Sequence, residues 1–235
     1  MKKLILIFTI ISLPFMSQAD TYSVSNKFYV GFGAGIISPN DVDIDISTAG
    51  IVNGVTFSAG ISGEFEFDNG YQINGLLGYR ITDYLSFETE FGYSNFDYDK
   101  VNVTVGGTAT SGGVTFTGAA SRSYDIDGSI SAFSLIFGPT LDFDVYENFE
   151  ILLGGGIGFS SYNDEIKSVG GSTGLSFDED FTDFAAKFKT GANYSFSEQT
   201  YLQATYGFNF VDSGVENFTD DFTAHSFNAK LVYNF

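Results

Sequence analysis

Eight stretches of the chain alternate apolar with polar or small positions at a period of two. That is the spacing of a strand whose two faces meet unlike surroundings. In the first, Phe28 to Ile36, the residues Phe28, Val30, Phe32, Ala34 and Ile36 share one side; Tyr29, Gly31, Gly33 and Gly35 share the other. The second, Tyr71 to Ile81, sets Tyr71, Ile73, Leu77 and Tyr79 against Gln72, Asn74, Gly78 and Arg80. The third, Tyr84 to Ser94, sets Leu85, Phe87, Phe91 and Tyr93 against Ser86, Glu88, Glu90 and Gly92. Four more runs keep the plan, at about Ile130 to Phe143, Phe149 to Ser161, Phe184 to Phe196 and Tyr201 to Phe210. Glu150, Lys187 and Lys189 fall on their polar sides. The last run, Phe227 to Phe235, sets Phe227, Ala229, Leu231, Tyr233 and Phe235 against Asn228, Lys230 and Asn234.

The connections are of two kinds. Thr82-Asp83, Asp144 to Asn148 and Ser197 to Gln199 are short, whereas roughly 37–70, 95–127, 162–183 and 211–221 are long. Runs of about ten residues, joined alternately by short turns and long loops, suit strands that cross an outer membrane. Alternation alone does not say which face is outside, and a soluble up-and-down barrel would turn its apolar faces inward. The charges on the polar faces decide between the two. Arg80, Glu88, Glu90, Glu150, Lys187, Lys189 and Lys230 are poor core residues for a soluble barrel, but in a narrow lumen they would form a hydrogen-bonded charge network. The expected fold is all-β: an eight-stranded antiparallel up-and-down transmembrane β-barrel with extended extracellular loops. Closing the ladder removes the edge that the terminal strand would otherwise expose. Short turns and both termini are expected on the periplasmic side. Pro139, which cannot donate to a ladder, is expected near a rim or a bulge.

The long loops are patterned too. Val101, Val103 and Val105 alternate with Asn102 and Thr104, and Val114 and Phe116 resume the alternation beyond a glycine-rich stretch. Asn53-Gly54 and Gly170-Gly171 have similar surroundings, so the strands are expected to continue past the membrane as hairpins. Their rim is expected to be acidic, with Asp41, Asp43, Asp45, Glu64, Glu66 and Asp68 in the first loop, Asp178, Glu179 and Asp180 in the third, and Asp220 and Asp221 in the fourth.

Composition narrows the setting. The 29 acidic residues against 10 Lys and Arg repel nucleic acid, so no nucleic-acid partner is expected. Cysteine is absent, which excludes disulfides and thiolate chemistry. Lys2 and Lys3, the apolar run Leu4 to Phe15 and Ser17-Gln18-Ala19 read as a signal peptide over residues 1–19, which leaves residues 20–235 as one barrel domain.

Little of the chain suggests chemistry. Asp41, Asp43 and Asp45 place three carboxylates on one side of an extended segment, but the spacing of a calcium loop is missing and a solvated strand face reads better. His225 is the single histidine, and Ser226 beside it must point to the opposite face, which does not suit a nucleophile–base pair. Gly106-Gly107, Gly112-Gly113 and Gly170-Gly171 precede no helix with a Lys-Ser or Lys-Thr pair, so they read as hairpin tips and not phosphate loops. No catalytic residue, metal ligand or cofactor is expected.

The opening Phe28-Tyr29-Val30-Gly31-Phe32-Gly33-Ala34-Gly35, the hairpin Gly78 to Glu88, the run Gly154 to Phe159 and the ending Tyr233-Asn234-Phe235 together resemble the eight-stranded outer-membrane barrels. That group includes the OmpA barrel, OmpX, Opa-like surface proteins and alphaproteobacterial surface antigens. The resemblance implies a Gram-negative outer-membrane protein whose Tyr233 and Phe235 act as the assembly signal read by the barrel-assembly machinery. It further implies a non-enzymatic role in envelope integrity, adhesion or host interaction, with the bilayer and a surface protein ligand as partners. The alternatives are an outer-membrane lipid-modifying enzyme and a narrow channel.

Overall fold

The computed structural model describes residues 27–52, 54–172, 177–212 and 221–235. The expected signal peptide lies outside the described residues, as do Asn53, Asp220 and the side chains of Asp178 and Glu179. Ten strands follow in chain order: β1 Phe28–Pro39, β2 Val42–Val52, β3 Val55–Phe67, β4 Gly70–Arg80 and β5 Leu85–Ser111, then β6 Val114–Tyr146, β7 Phe149–Val169, β8 Phe177–Ser195, β9 Thr200–Val211 and β10 Phe222–Asn234.

Eight of them close a ring. β1 pairs with β4, β4 with β5, and each later strand with the next, until β10 returns to β1 with Ala34 opposite Ala229. All pairings are antiparallel. The eight ring strands carry the eight alternating runs of the sequence. Their apolar sides face outward: Phe32, Ile157, Phe159, Phe188 and Leu231 are all exposed, while Asn74, Glu88, Lys189, Gln203 and Lys230 on the opposite faces are buried. An apolar exterior around a polar interior is what a membrane-spanning barrel requires.

The remaining two strands build a sheet above the ring. β2 and β3 form a hairpin, and β3 lies against the far half of β5, from Thr56 opposite Thr110 to Phe67 opposite Tyr98. β5 and β6 rise beside it and turn at Gly112 and Gly113, where φ values of 57° and 82° favour glycine. β6, with 33 residues, is about three times as long as a membrane crossing needs. The expected continuation of strands into the loops is therefore present, with Gly54 and Gly170-Gly171 also at hairpin turns.

Three local expectations change. Gly106-Gly107 is not a hairpin tip but lies within β5, opposite Ala119 and Gly118; a Cβ on Gly107 would come within 2.8 Å of the Ser58 carbonyl oxygen. The turn expected over Asp144 to Asn148 is tighter, because β6 runs to Tyr146 and β7 starts at Phe149. Pro139 is inside β6, and the β6–β7 ladder passes from the Phe137–Ile157 pair to the Thr140–Gly154 pair, leaving Pro139 without the donor role it cannot fill.

A closed ladder has no fraying edge, so the purified protein is expected to keep its barrel in detergent until heated. Unheated and boiled samples should migrate differently on a gel and the unheated one should show β-type circular dichroism. Identical migration without a β spectrum would refute the closed barrel.

Candidate functional site

The lumen holds the densest chemistry. Alternation puts Glu88 and Glu90 on the inner face of β5 and Lys187 and Lys189 on that of β8, three strands away around the ring. Glu88 accepts hydrogen bonds from the Tyr29 hydroxyl (2.6 Å), the Thr140 hydroxyl (2.7 Å) and the Lys189 ammonium. Glu90 accepts from Lys187 (2.6 Å), from Lys189 and from Lys230 (3.3 Å). Lys230 is fully buried and reaches Gln203 Oε1 at 3.5 Å. Two carboxylates are thus tied to three ammonium groups across the barrel. Close packing makes this possible: a Cβ on Gly78 would fall 2.0 Å from the Tyr29 ring.

The structure places Arg80 and Glu150 in a second group, toward the short turns. Arg80 donates to Asn234 Oδ1 (3.0 Å) and sits 5.1 Å from the centre of the Tyr29 ring. Asn193 donates to Asp142 (3.2 Å) and to Glu150 (3.0 Å). Tyr29 joins the two groups, with its hydroxyl on Glu88 and its ring beside Arg80. Tyr29, Thr140, Asp142 and Gln203 stand on inward positions of the alternation, which was the available signal for them.

Above the charges the filling changes character. Ile130, Ile136, Phe96, Tyr98, Tyr162, Ala185, Val211 and Ala224 form one buried apolar cluster, against which Phe65, Phe67, Phe181 and Phe222 pack. Phe96 stacks on Phe222 (centroids 5.7 Å apart) and Tyr162 on Phe181 (5.2 Å). A lumen filled throughout by a polar network is therefore not what forms; the half away from the short turns is packed with aromatic and aliphatic side chains. The cavity beside the Glu88–Lys189 cluster measures about 10 Å³, and one in the apolar layer about 40 Å³. The first has room for at most one water and the second for only a few.

At the far end of the lumen, a bulge between Asp97 and Lys100 resets the alternation of β5, so that both Tyr98 and Val101 point inward. The Tyr98 hydroxyl donates to Asp164 (2.9 Å), and burial with that carboxylate pushes its pKa above the usual phenol range. On the outward side, Lys100 pairs with Glu66 at 2.8 Å and its hydrogen bond holds the Glu66 carboxyl below the usual range.

The remaining sites are quickly placed. His225 faces outward among Tyr206, Phe208 and Phe227, sharing a 2.7 Å hydrogen bond with the Tyr206 hydroxyl. Ser226 is buried on the inner face and donates toward the Gly207 carbonyl, so the two do not meet. Asp43 and Asp45 lie on the polar face of β2, opposite Glu64 and Ser62. Among the described residues no three His or carboxylate groups gather to hold a metal. Tyr233 and Phe235 are exposed at the short-turn end, with ring centroids 5.2 Å apart, and the Phe235 N–H bonds the Phe28 carbonyl at 2.9 Å.

Comparison with known proteins agrees with this geometry. No curated protein matches the chain in sequence. Among solved structures it is similar to the Neisserial surface protein A, with 17% identity, 88% of this chain and 97% of that chain covered, and a TM-score of 0.51. OprG from Pseudomonas aeruginosa follows, at 12% identity, 89% and 96% coverage and a TM-score of 0.48. Ail of Yersinia pestis shows 11% identity, 89% and 99% coverage and a TM-score of 0.45. The model of the outer membrane protein beta-barrel domain matches residues 6–235. The chain belongs to this family of outer-membrane β-barrel proteins.

Proposed function

We propose that this protein is a non-enzymatic barrel that presents its raised, acidic sheet outside the cell to a basic partner. The short turns and both termini then lie in the periplasm, and the barrel-assembly machinery inserts the chain by its Tyr233–Phe235 end. The observation that carries the reading is the sheet itself. Among the described residues β2 pairs only with β3, and β6 from Val114 to Tyr124 pairs only with β5, so two strand edges are left without a partner strand there. An open edge can take up a partner's backbone. Residues 41–68 and 97–127 carry ten carboxylates against Lys100 and Arg122, a charge that favours basic partners and speeds their approach.

Two other readings have less support. A hydrolase would need His225 near a nucleophile, yet its ring faces outward while Ser226 faces inward. A channel would need an open lumen, which the charge cluster and the aromatic layer fill. Planar-bilayer recording is expected to show no steady conductance.

The proposal is tested by capturing basic host-surface proteins on intact cells at rising salt. Binding is expected to weaken with salt, and to fall about tenfold when Asp41, Asp43, Asp45, Glu64 and Glu66 are replaced by their amides. Binding that ignores both changes would leave the acids as a solubility shield that deters edge pairing.

A further inference from the structure

The raised sheet has two unlike faces. Read across β2, β3 and β5, one face carries Val42, Phe65 and Val101 in its lowest row and Ile46, Ile61 and Val105 four residues higher. The other carries Asp43, Glu64 and Asn102, then Asp45, Ser62 and Thr104. The apolar face continues the inner wall of the barrel, because Val42 and Val101 are buried and Val101 belongs to the lumen cluster. Higher up Ile46, Ile61 and Val105 are 49%, 45% and 50% exposed, and the face ends on β6 at Arg122, opposite Val103. An apolar sheet face of this size with polar surroundings marks a place of interaction.

Beneath this wall lies the aromatic layer, where Phe67 meets Phe96 and Phe222, and Phe222 meets Tyr162. On the opposite side of the layer stand two acids. Asp183 falls on the inward face of β8 between Phe181, which stacks on Tyr162, and Ala185 of the lumen cluster. Asp212 directly follows β9, its N–H bonded to the Phe184 carbonyl at 3.0 Å. Burial, and then the charge of Asp212, raise the Asp183 carboxyl above its ordinary value. Among the described residues no Lys or Arg pairs with either acid. The barrel mouth therefore combines an apolar wall, an aromatic floor and a lip of two carboxylates.

Few occupants suit all three. A second copy would bring its own acidic sheet against this one, and a phospholipid or lipopolysaccharide would bring phosphates to a negative lip. A peptide with apolar and cationic side chains fits both surfaces at once. Resting on the proposed recognition of basic partners, we infer that the mouth binds an amphipathic cationic peptide. Its apolar side chains lie on the Ile46, Ile61 and Val105 wall, and its ammonium or guanidinium groups lie at Asp183 and Asp212.

The test uses the whole mature protein in zwitterionic nanodiscs, with empty discs as the blank. The probe is a short synthetic peptide of alternating Leu and Lys, with Leu–Glu and Ser–Lys peptides of equal length for comparison. Only the Leu–Lys peptide is expected to bind. Joint replacement Ile46→Thr, Ile61→Thr and Val105→Thr should weaken it about tenfold, and Asp183→Asn with Asp212→Asn should weaken it similarly and flatten its salt dependence. Each variant must still show the heat-dependent gel shift, which separates lost binding from lost folding. Equal binding of the Ser–Lys peptide, or full binding by the wall variant, would overturn the seat. If binding then depends on Asp43, Asp45 and Glu64 instead, recognition of basic partners stands and only this location falls. A dimer, or a co-purifying lipid, that the wall variant abolishes would assign the face to that occupant and also overturn the inference.

Discussion

Replacing Lys189 by methionine is expected to cost the folded barrel about 3–5 kcal/mol, because it strands buried carboxylates without their shared cation. Among the described residues Lys189 is the one ammonium group that touches both Glu88 and Glu90, and both acids are almost wholly buried. Methionine fills similar space, so the loss is one of charge and hydrogen bonds more than of packing. Adding Glu88→Gln should restore part of the loss, since the amide carries no charge, its oxygen still accepts from one of the Tyr29 and Thr140 hydroxyls, and its NH2 group donates to the oxygen of the other. Lys230→Met should cost less, because its contacts with Glu90 and Gln203 are longer, at 3.3 and 3.5 Å. Urea unfolding in detergent, followed by the gel shift, measures all three. An unchanged midpoint for Lys189→Met would mean that the network adds nothing to stability.

Deleting Phe235 should act on assembly and barely on the finished barrel. In the folded protein its ring is 62% exposed and meets the Tyr233 ring, and its N–H bonds the Phe28 carbonyl, so the loss is on the order of 1–2 kcal/mol. The amount inserted in the outer membrane is expected to fall severalfold, with unfolded precursor in the periplasm. The fraction that does insert should unfold at nearly the same urea concentration as the parent. Normal insertion of the truncated chain would remove Tyr233 and Phe235 from the assembly signal.

The alternation of Phe28 to Ile36 or Tyr84 to Ser94 was enough to reveal the ring, because each strand meets lipid on one side and lumen on the other all along its length. It also put Glu88, Glu90, Lys187, Lys189 and Lys230 on inner faces. It could not tell that Lys189 would hold both acids while Arg80 turned to Asn234, since those distances depend on strand stagger around the closed ring. The apolar half of the lumen was hidden for another reason. Ile130 and Ile136 lie inward in a run whose inner side was expected to be polar or small, Phe96 lies in a stretch expected to be a loop, and nothing local tells a lumen plug from a lipid contact. One signal was readable: inward residues shift from even to odd numbers between Tyr98 and Val101, which is the mark of the bulge where β5 passes from its pairing with β4 to its pairing with β3. The two faces of that sheet emerge only from the register of β2, β3 and β5 together.

Because the chain has no cysteine, single cysteines can report which surfaces meet water, lipid and the cell exterior. Ser62 lies on the polar face of the raised sheet, Ala229 on the outward face of β10, and Ser197 in a short turn. With a membrane-impermeant maleimide, Ser62→Cys is expected to react on intact cells and Ser197→Cys only after the outer membrane is opened. Ala229→Cys should resist the reagent in both cases and respond instead to a lipid-borne quencher. Labelling of Ser197→Cys but not Ser62→Cys on intact cells, or free reaction of Ala229→Cys with the aqueous reagent, would contradict a membrane-spanning barrel that holds its acidic sheet outside the cell.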